Sequence, residues 1–180
     1  NIPLTNILNR TLAKSISSLI TDPPFDNSSM DGFAVIYSDT VNTTPQTPLV
    51  LDVIGISQAG NTPLPTLESG QAIRIMTGAR IPPGADSIVL IEEAETIDNN
   101  TQFGQVKLSK KSRPNYIRKK GENMMKGQTM LNAGEMMDPY RIGLAATMGY
   151  SELPVFSKII FTIISTGDEL VKPGNKLDVG

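Results

Sequence analysis

Few stretches of this chain leave the backbone less choice than residues 21–37, Thr-Asp-Pro-Pro-Phe-Asp-Asn-Ser-Ser-Met-Asp-Gly-Phe-Ala-Val-Ile-Tyr. Pro23 and Pro24 fix their own φ and disfavour the α region for their predecessors, so the entry is extended. Phe33 to Tyr37 is apolar and β-prone, which predicts a strand. Between them, Asp26 to Asp31 places two acids, one amide and two hydroxyls in six residues. Asp31-Gly32 reads as a tight turn, because Gly takes positive φ at no steric cost and Asp tolerates it. A second reading stays open beside it: a carboxylate at a strand entrance on a rigid exposed loop, able to hold a metal ion or orient a substrate.

The rest of the chain continues in short pieces. Thr5 suits the N-cap of a short helix through Leu8, with Asn9 at the left-handed C-terminal position. Thr11 to Ile20 mixes the helical and strand periods and is expected as strand. After a Thr, Pro and Gln-rich connector at 42–48, Leu49–Ile56, Ala72–Thr77, Ser87–Glu92 and Val106–Ser109 are β-prone runs. They are separated by turn-forming clusters at 60–65, 82–84 and 98–100, a spacing expected of a small β-barrel or sandwich inserted into the first domain. Met124, Met125, Met130, Met136 and Met137 show no stripe and read as adaptable core filler. Asp138-Pro139 opens the clearest helix, with an acidic N-cap, Pro at the first position and Gly149 at the stop. Lys158 to Ile164 is nearly continuous in apolar residues, as in a strand covered on both faces of an α/β sheet.

The predicted fold is therefore mixed α and β. An elongated first domain (1–42 and 113–157) is interrupted by an inserted β-barrel-like domain (43–112), and the first strand of an α/β domain begins at 158–180. The chain opens on Asn1 rather than Met and ends in a polar stretch at Gly180, which is expected of a piece of a longer protein.

Composition narrows the chemistry. With 39% hydrophobic residues a buried core is assured, and a formal charge of −2 provides no field to gather nucleic acid or an anionic membrane. The apolar run at 159–164 is far short of the roughly 20 residues that span a bilayer. Neither Cys nor His occurs among the 180 residues. Disulfides, thiolate chemistry, imidazole catalysis and His-ligated zinc are thereby excluded within these residues. What remains is carboxylate, Lys, Arg, hydroxyl and backbone N–H chemistry, with a hard cation such as Mg²⁺ as the suitable metal.

Three further stretches could carry function. Arg74-Ile75-Met76-Thr77-Gly78-Ala79 ends a strand in a Gly turn, so Thr77 either offers its hydroxyl and the following N–H groups to an anion or simply terminates the strand. Residues 110–120 hold six of the 16 basic residues, a solvated edge or a phosphate clamp built on Arg118, with Glu122 and Asn123 following. Asp168 and Glu169 follow the apolar run at a strand's carboxyl end, where open α/β sheets bind ligands and where acids also cap helices.

Four of these stretches together resemble the molybdopterin molybdenumtransferase family, which includes the last domain of gephyrin. They are Pro24–Val35; Gly70-Gln71-Ala72 with Arg74–Ala79 and Pro82–Asp86; Arg118 with Gly121-Glu122; and Ser165–Leu170. The resemblance implies a cytoplasmic enzyme of molybdenum-cofactor synthesis. It would take adenylylated molybdopterin and molybdate, insert the metal at the dithiolate and release AMP, with Mg²⁺. Carried over by motif, Asp31 and Glu169 would be catalytic, and Asp31, Asp168 and Glu169 would hold metal. Ser28, Thr77, Gly78, Arg118 and Asn123 would contact substrate, Arg118 as a phosphate clamp. Asn123 stands where the family pattern has Asp, which predicts weaker Mg²⁺ binding, since an amide oxygen brings no charge. The resemblance also implies a homodimer whose active site is shared between subunits, so the 180 residues alone are expected not to turn over. A gephyrin-like scaffold using the same fold without catalysis is the alternative.

Overall fold

The structure, a computed structural model, describes residues 1–60, 63–97 and 102–177. The expected turn at Asp98–Asn100 lies outside them. In chain order the strands are β1 Ile2–Pro3, β2 Ile16–Ser17, β3 Asn27–Ser28, β4 Gly32–Val35, β5 Leu49–Ser57, β6 Gln71–Ile75, β7 Ser87–Leu90, β8 Ala94–Ile97, β9 Gln105–Leu108, β10 Ile117–Arg118, β11 Thr129–Leu131 and β12 Glu152–Leu153. Two α-helices, α1 (Tyr37–Thr40) and α2 (Pro139–Thr147), complete a mixed but mostly β fold.

Six strands form the main sheet in the order β7-β4-β6-β5-β9-β8. Neighbours pair antiparallel except β5 with β6. The two edge strands β7 and β8 are joined by a single 3₁₀ turn, Ile91–Glu93, so the sheet must curl to bring its edges together. Alternation fills the curl. Phe33, Val35, Leu51, Val53, Ala72, Val89, Val106 and Leu108 form one buried cluster, while Ala34, Ile75 and Ile88 face the other way and pack with Ala79 and Ile117.

β4 comes from before the 42–48 connector yet sits between β7 and β6. Gly32 is not there to turn the chain. A Cβ on it would lie 1.9 Å from the Val89 carbonyl oxygen, and its φ is not among the positive ones. The Asp31-Gly32 turn reading is thus replaced by a close approach of β4 to β7 that only Gly allows. The strand is also shorter than the run Phe33–Tyr37 suggested, because the Tyr37 amide donates to Asp86 Oδ1 at 2.6 Å and α1 begins there.

A second core gathers the segments before β3 and after β10. Ile7, Leu12, Ile16, Met124, Leu131, Met137, Ala145, Met148 and Leu153 are buried together, tied by the two-stranded ladders β1–β12 and β2–β11. Met124 and Met137 thus serve as core filler, while Met125 and Met136 are exposed. The helix α2 is capped as expected, Asp138 accepting from the Arg141 amide, with Gly149 at φ +96 beyond it. Thr5 caps nothing: the expected helix is a 3₁₀ turn, Leu4–Asn6, preceded by Pro3 and held by the Leu4 amide on Ser151 O, though Asn9 does take φ +60. Of the strand expected over 11–20, only β2 and bridges at Thr11 and Leu12 form.

The apolar run at 158–164 is not a strand. Ile160 and Ile163 are 89% and 91% exposed. A strand buried on both faces needs hydrogen-bonded neighbours and covering layers, and the described residues place neither beside it.

Candidate functional site

The loop that precedes β4 is laced to the turn that follows β6. Buried Ser28 donates its amide to Ala79 O (3.0 Å) and accepts from the Gly78 amide (2.8 Å), while its hydroxyl donates to Met30 O at 2.5 Å. Gly78, at φ +79, lets the chain reverse between Met76 and Ala79. This lacing brings Thr77 to Asp31. The Asp31 Oδ1 atom accepts from both the Thr77 amide (2.7 Å) and the Thr77 hydroxyl (2.8 Å). The Thr77 amide, then its hydroxyl, hold the Asp31 carboxyl below the ordinary aspartate range, with a smaller contribution from the Arg74 charge. Asp31 is exposed, and no donor among the described residues takes its Oδ2. Ser28, Asp31, Thr77 and Gly78 are therefore one cluster, in which Thr77, in the turn two residues past the end of β6, gives both its amide and its hydroxyl to the Asp31 carboxylate.

On the other side of β3 runs β10, with Asn27 opposite Arg118. Arg118 is already engaged. Its Nη2 donates to Asn123 Oδ1 (2.9 Å) and its Nε to Glu122 Oε1 (3.5 Å), while Asn123 Nδ2 donates to Asp22 Oδ2 (2.6 Å). Lys119 is also engaged, pairing with Asp26 at 2.8 Å, and the Lys120 amide donates to the same carboxylate. The Lys119 ammonium, followed by that amide, lowers the Asp26 pKa.

Two cations beside this loop have no such partner. The side chains of Arg80 and Lys120 line a cleft of about 470 Å³ with Pro24, Phe25, Asp26 and Ile81, and neither pairs with any acid among the described residues. Reading by motif passed over Arg80, because a lone Arg after a turn has no local signature. Only the Asn27–Arg80 bridge brings it to the loop.

Asp168 and Glu169 stand apart, in an exposed stretch with no contact to Asp31, Thr77 or Arg118. Among the described residues no three acidic side chains converge to hold a metal ion. Mg²⁺ characteristically keeps waters and takes one or two protein carboxylates plus substrate phosphates. The outward Oδ2 of Asp31 fits one such ligand; Asp168 and Glu169 are not placed to add a second.

Residues 1–149 match the family model described as the MoeA N-terminal region (domain I and II). A Mycobacterium tuberculosis protein named molybdopterin molybdenumtransferase 2 is 39% identical over 179 residues, 99% of this chain and 43% of that protein. The molybdopterin molybdenumtransferase of Haemophilus influenzae is 38% identical over 98% of this chain and 42% of its own length. The chain thus spans less than half the length of these relatives. Among solved structures, the molybdopterin biosynthesis MoeA protein from Pyrococcus horikoshii superposes with a TM-score of 0.76 at 29% identity, covering 86% of this chain and 40% of that one. A second Pyrococcus MoeA structure gives 0.81 at 35% identity over 98% of this chain and 44% of its own.

Proposed function

The chain belongs to the MoeA N-terminal family, and on that premise we propose that it forms part of a molybdopterin molybdenumtransferase, supplying one wall of a site that binds adenylylated molybdopterin and molybdate. The observation that carries this reading is the clamped Asp31. Thr77 occupies one carboxylate oxygen with two donors, which fixes the rotamer and keeps the group ionised, and the other oxygen points outward. A ligand held in this way is pre-organised for a cation or a polarised substrate atom.

Mg²⁺ bound there would draw charge from the pyrophosphate bridge of the adenylylated substrate, and the chain's own residues do the rest. Asp31 presents one oxygen, Ser28 and Gly78 hold the Thr77 turn against it, and the unpaired Arg80 and Lys120 draw an anionic substrate towards the loop. Arg118 is the phosphate clamp of this reading only if substrate displaces Asn123 or Glu122. Glu169 and Asp168 would join the site once the stretch 158–180 is paired into a further α/β unit, and the homodimer partner would close it.

The test is Asp31→Ala in the complete protein containing this chain. Molybdenum insertion should be lost while circular dichroism and melting stay near wild type; retained activity with the fold intact would sink the assignment of Asp31. The gephyrin-like scaffold is the second reading, and Asn123 favoured it. That amide, however, bridges Arg118 to Asp22, a task it performs whether or not the protein is catalytic.

A further inference from the structure

The inner face of the curled sheet ends in an arginine. β6 alternates Ala72 inward, Ile73 outward and Arg74 inward, so Arg74 occupies a position that elsewhere in the cluster is apolar. Its guanidinium lies over the Phe33 ring, 5.3 Å from the centroid. The Nη1 atom is buried and has no hydrogen-bond partner, and among the described residues no carboxylate forms an ion pair with the side chain. Asp31 feels the Arg74 charge only as the smallest of the causes that set its pKa. Burying an N–H of a guanidinium without an acceptor is costly, and such groups generally find a hydrogen-bond acceptor.

A cleft of about 410 Å³ opens beside this group, lined by Phe33, Phe103, Val53, Ile91 and Thr96 together with Arg74. Aromatic and aliphatic walls around one cation and a few polar groups are the make-up of a small-molecule pocket. An inorganic anion would answer Arg74 and leave the apolar walls wet. We infer that this cleft binds a small aromatic anion, its carboxylate or phosphate on the Arg74 guanidinium and its ring against Phe103 and Ile91. Arg74 suits the anion because a guanidinium keeps its charge and offers paired donors, and Thr96 adds a hydroxyl at the rim. The inference does not rest on the transferase reading: the cleft is built on the inner sheet face and uses none of Ser28, Thr77, Arg80 or Lys120.

Phenyl phosphate is the probe, titrated into the isotopically labelled chain, with inorganic phosphate and benzyl alcohol as the two half-ligands. Saturable amide shifts at Phe33, Arg74, Thr96 and Phe103 are expected, with both half-ligands at least about tenfold weaker. Arg74→Met should weaken phenyl phosphate by about 10- to 100-fold, the loss of a charge-assisted hydrogen bond, and Phe103→Ala should weaken it while leaving inorganic phosphate unchanged. If Arg74→Met fails to fold, shift mapping on the wild type decides. The proposal is overturned if phenyl phosphate does not saturate in the millimolar range, if its shifts centre on Arg80 and Lys120, or if inorganic phosphate binds as tightly. Molybdenum insertion is not read in any arm, so failure of this proposal and failure of the transferase assignment remain distinct.

Discussion

Gly32→Ala is the sharpest perturbation available, because the obstacle is backbone. The added Cβ would sit 1.9 Å from Val89 O and 2.9 Å from Val89 C, where real contacts stay beyond 3.0 Å. The oxygen belongs to the partner strand in the Gly32↔Leu90 and Phe33↔Val89 register, so no side chain can swing away. Relief requires β4 and β7 to part by more than about 1 Å, which breaks ladder hydrogen bonds and pulls Phe33 and Val89 from their shared cluster. Overpacking of this kind costs about 1–3 kcal/mol, and each lost ladder bond adds about 1 kcal/mol. The expected loss is about 3–5 kcal/mol, a fall in Tm of about 6–20 °C for a chain of this size. Gly78→Ala is the control: it carries φ +79 with nothing within 4 Å, so its cost is the left-handed conformation alone, about 1–2 kcal/mol. Thermal and urea unfolding would measure both. If Gly32→Ala melts within about 2 °C of wild type, or if Gly78→Ala is the more damaging, the close-approach account of Gly32 is wrong.

Thr77→Ala removes one of the two donors on Asp31, so the Asp31 pKa followed by NMR should rise towards the ordinary carboxylate value while staying below it, because the amide donor remains. Since the folded-state pKa is depressed, the stabilisation is present above about pH 4, the unfolded value, and is lost as pH falls through the folded one. Wild-type and Thr77→Ala stability curves should therefore converge in acid; a constant gap at all pH would contradict the clamp. Thr40→Val leaves buried Ser112, whose hydroxyl lies 2.7 Å from Thr40 Oγ1 and whose amide donates to it at 3.1 Å, without its partner. Equilibrium unfolding should show a loss of about 1–3 kcal/mol, and an unchanged midpoint would mean the pair contributes nothing. Asn123→Asp sets a second carboxylate against Asp22, so equilibrium unfolding at neutral pH should show a small loss of stability at this exposed site; a gain at neutral pH would rule this out.

What could be read from the sequence was what short-range chemistry decides. The strands β5, β6, β7 and β9 and the helix α2 follow from alternation, β-branching and a Pro-opened N-cap, and the structure places them within a few residues of expectation. β8 has no signature of its own because no Gly or Pro separates Ala94-Glu95-Thr96-Ile97 from the run at 87–92, and it forms by pairing with β9. Gly32 was misjudged for a similar reason: a strand-opening Gly and a turn Gly look alike until the neighbouring strand is known. At the site, Thr77 and Asp31 are 46 residues apart, and each was singled out, but nothing in either motif said they bond to one another. Arg74 was read only as part of a motif, although its inward position follows once the register of β6 is fixed.

Asn123 shows how a residue type can mislead when its neighbours are unknown. Taken alone, an amide in place of a carboxylate reads as lost charge at a metal site. In the structure its two ends do different things, Oδ1 accepting from Arg118 and Nδ2 donating to Asp22, and a carboxylate could perform only the first. With Asn at this position, Arg118, Asn123 and Asp22 form one continuous chain of donors and acceptors beside the loop 26–31. With Asp, two acids would compete for Arg118. Asn123 is therefore matched to Asp22, 101 residues away in sequence, and Asp22→Ala should make Asn123→Asp tolerable, since it removes the like charge that penalises it.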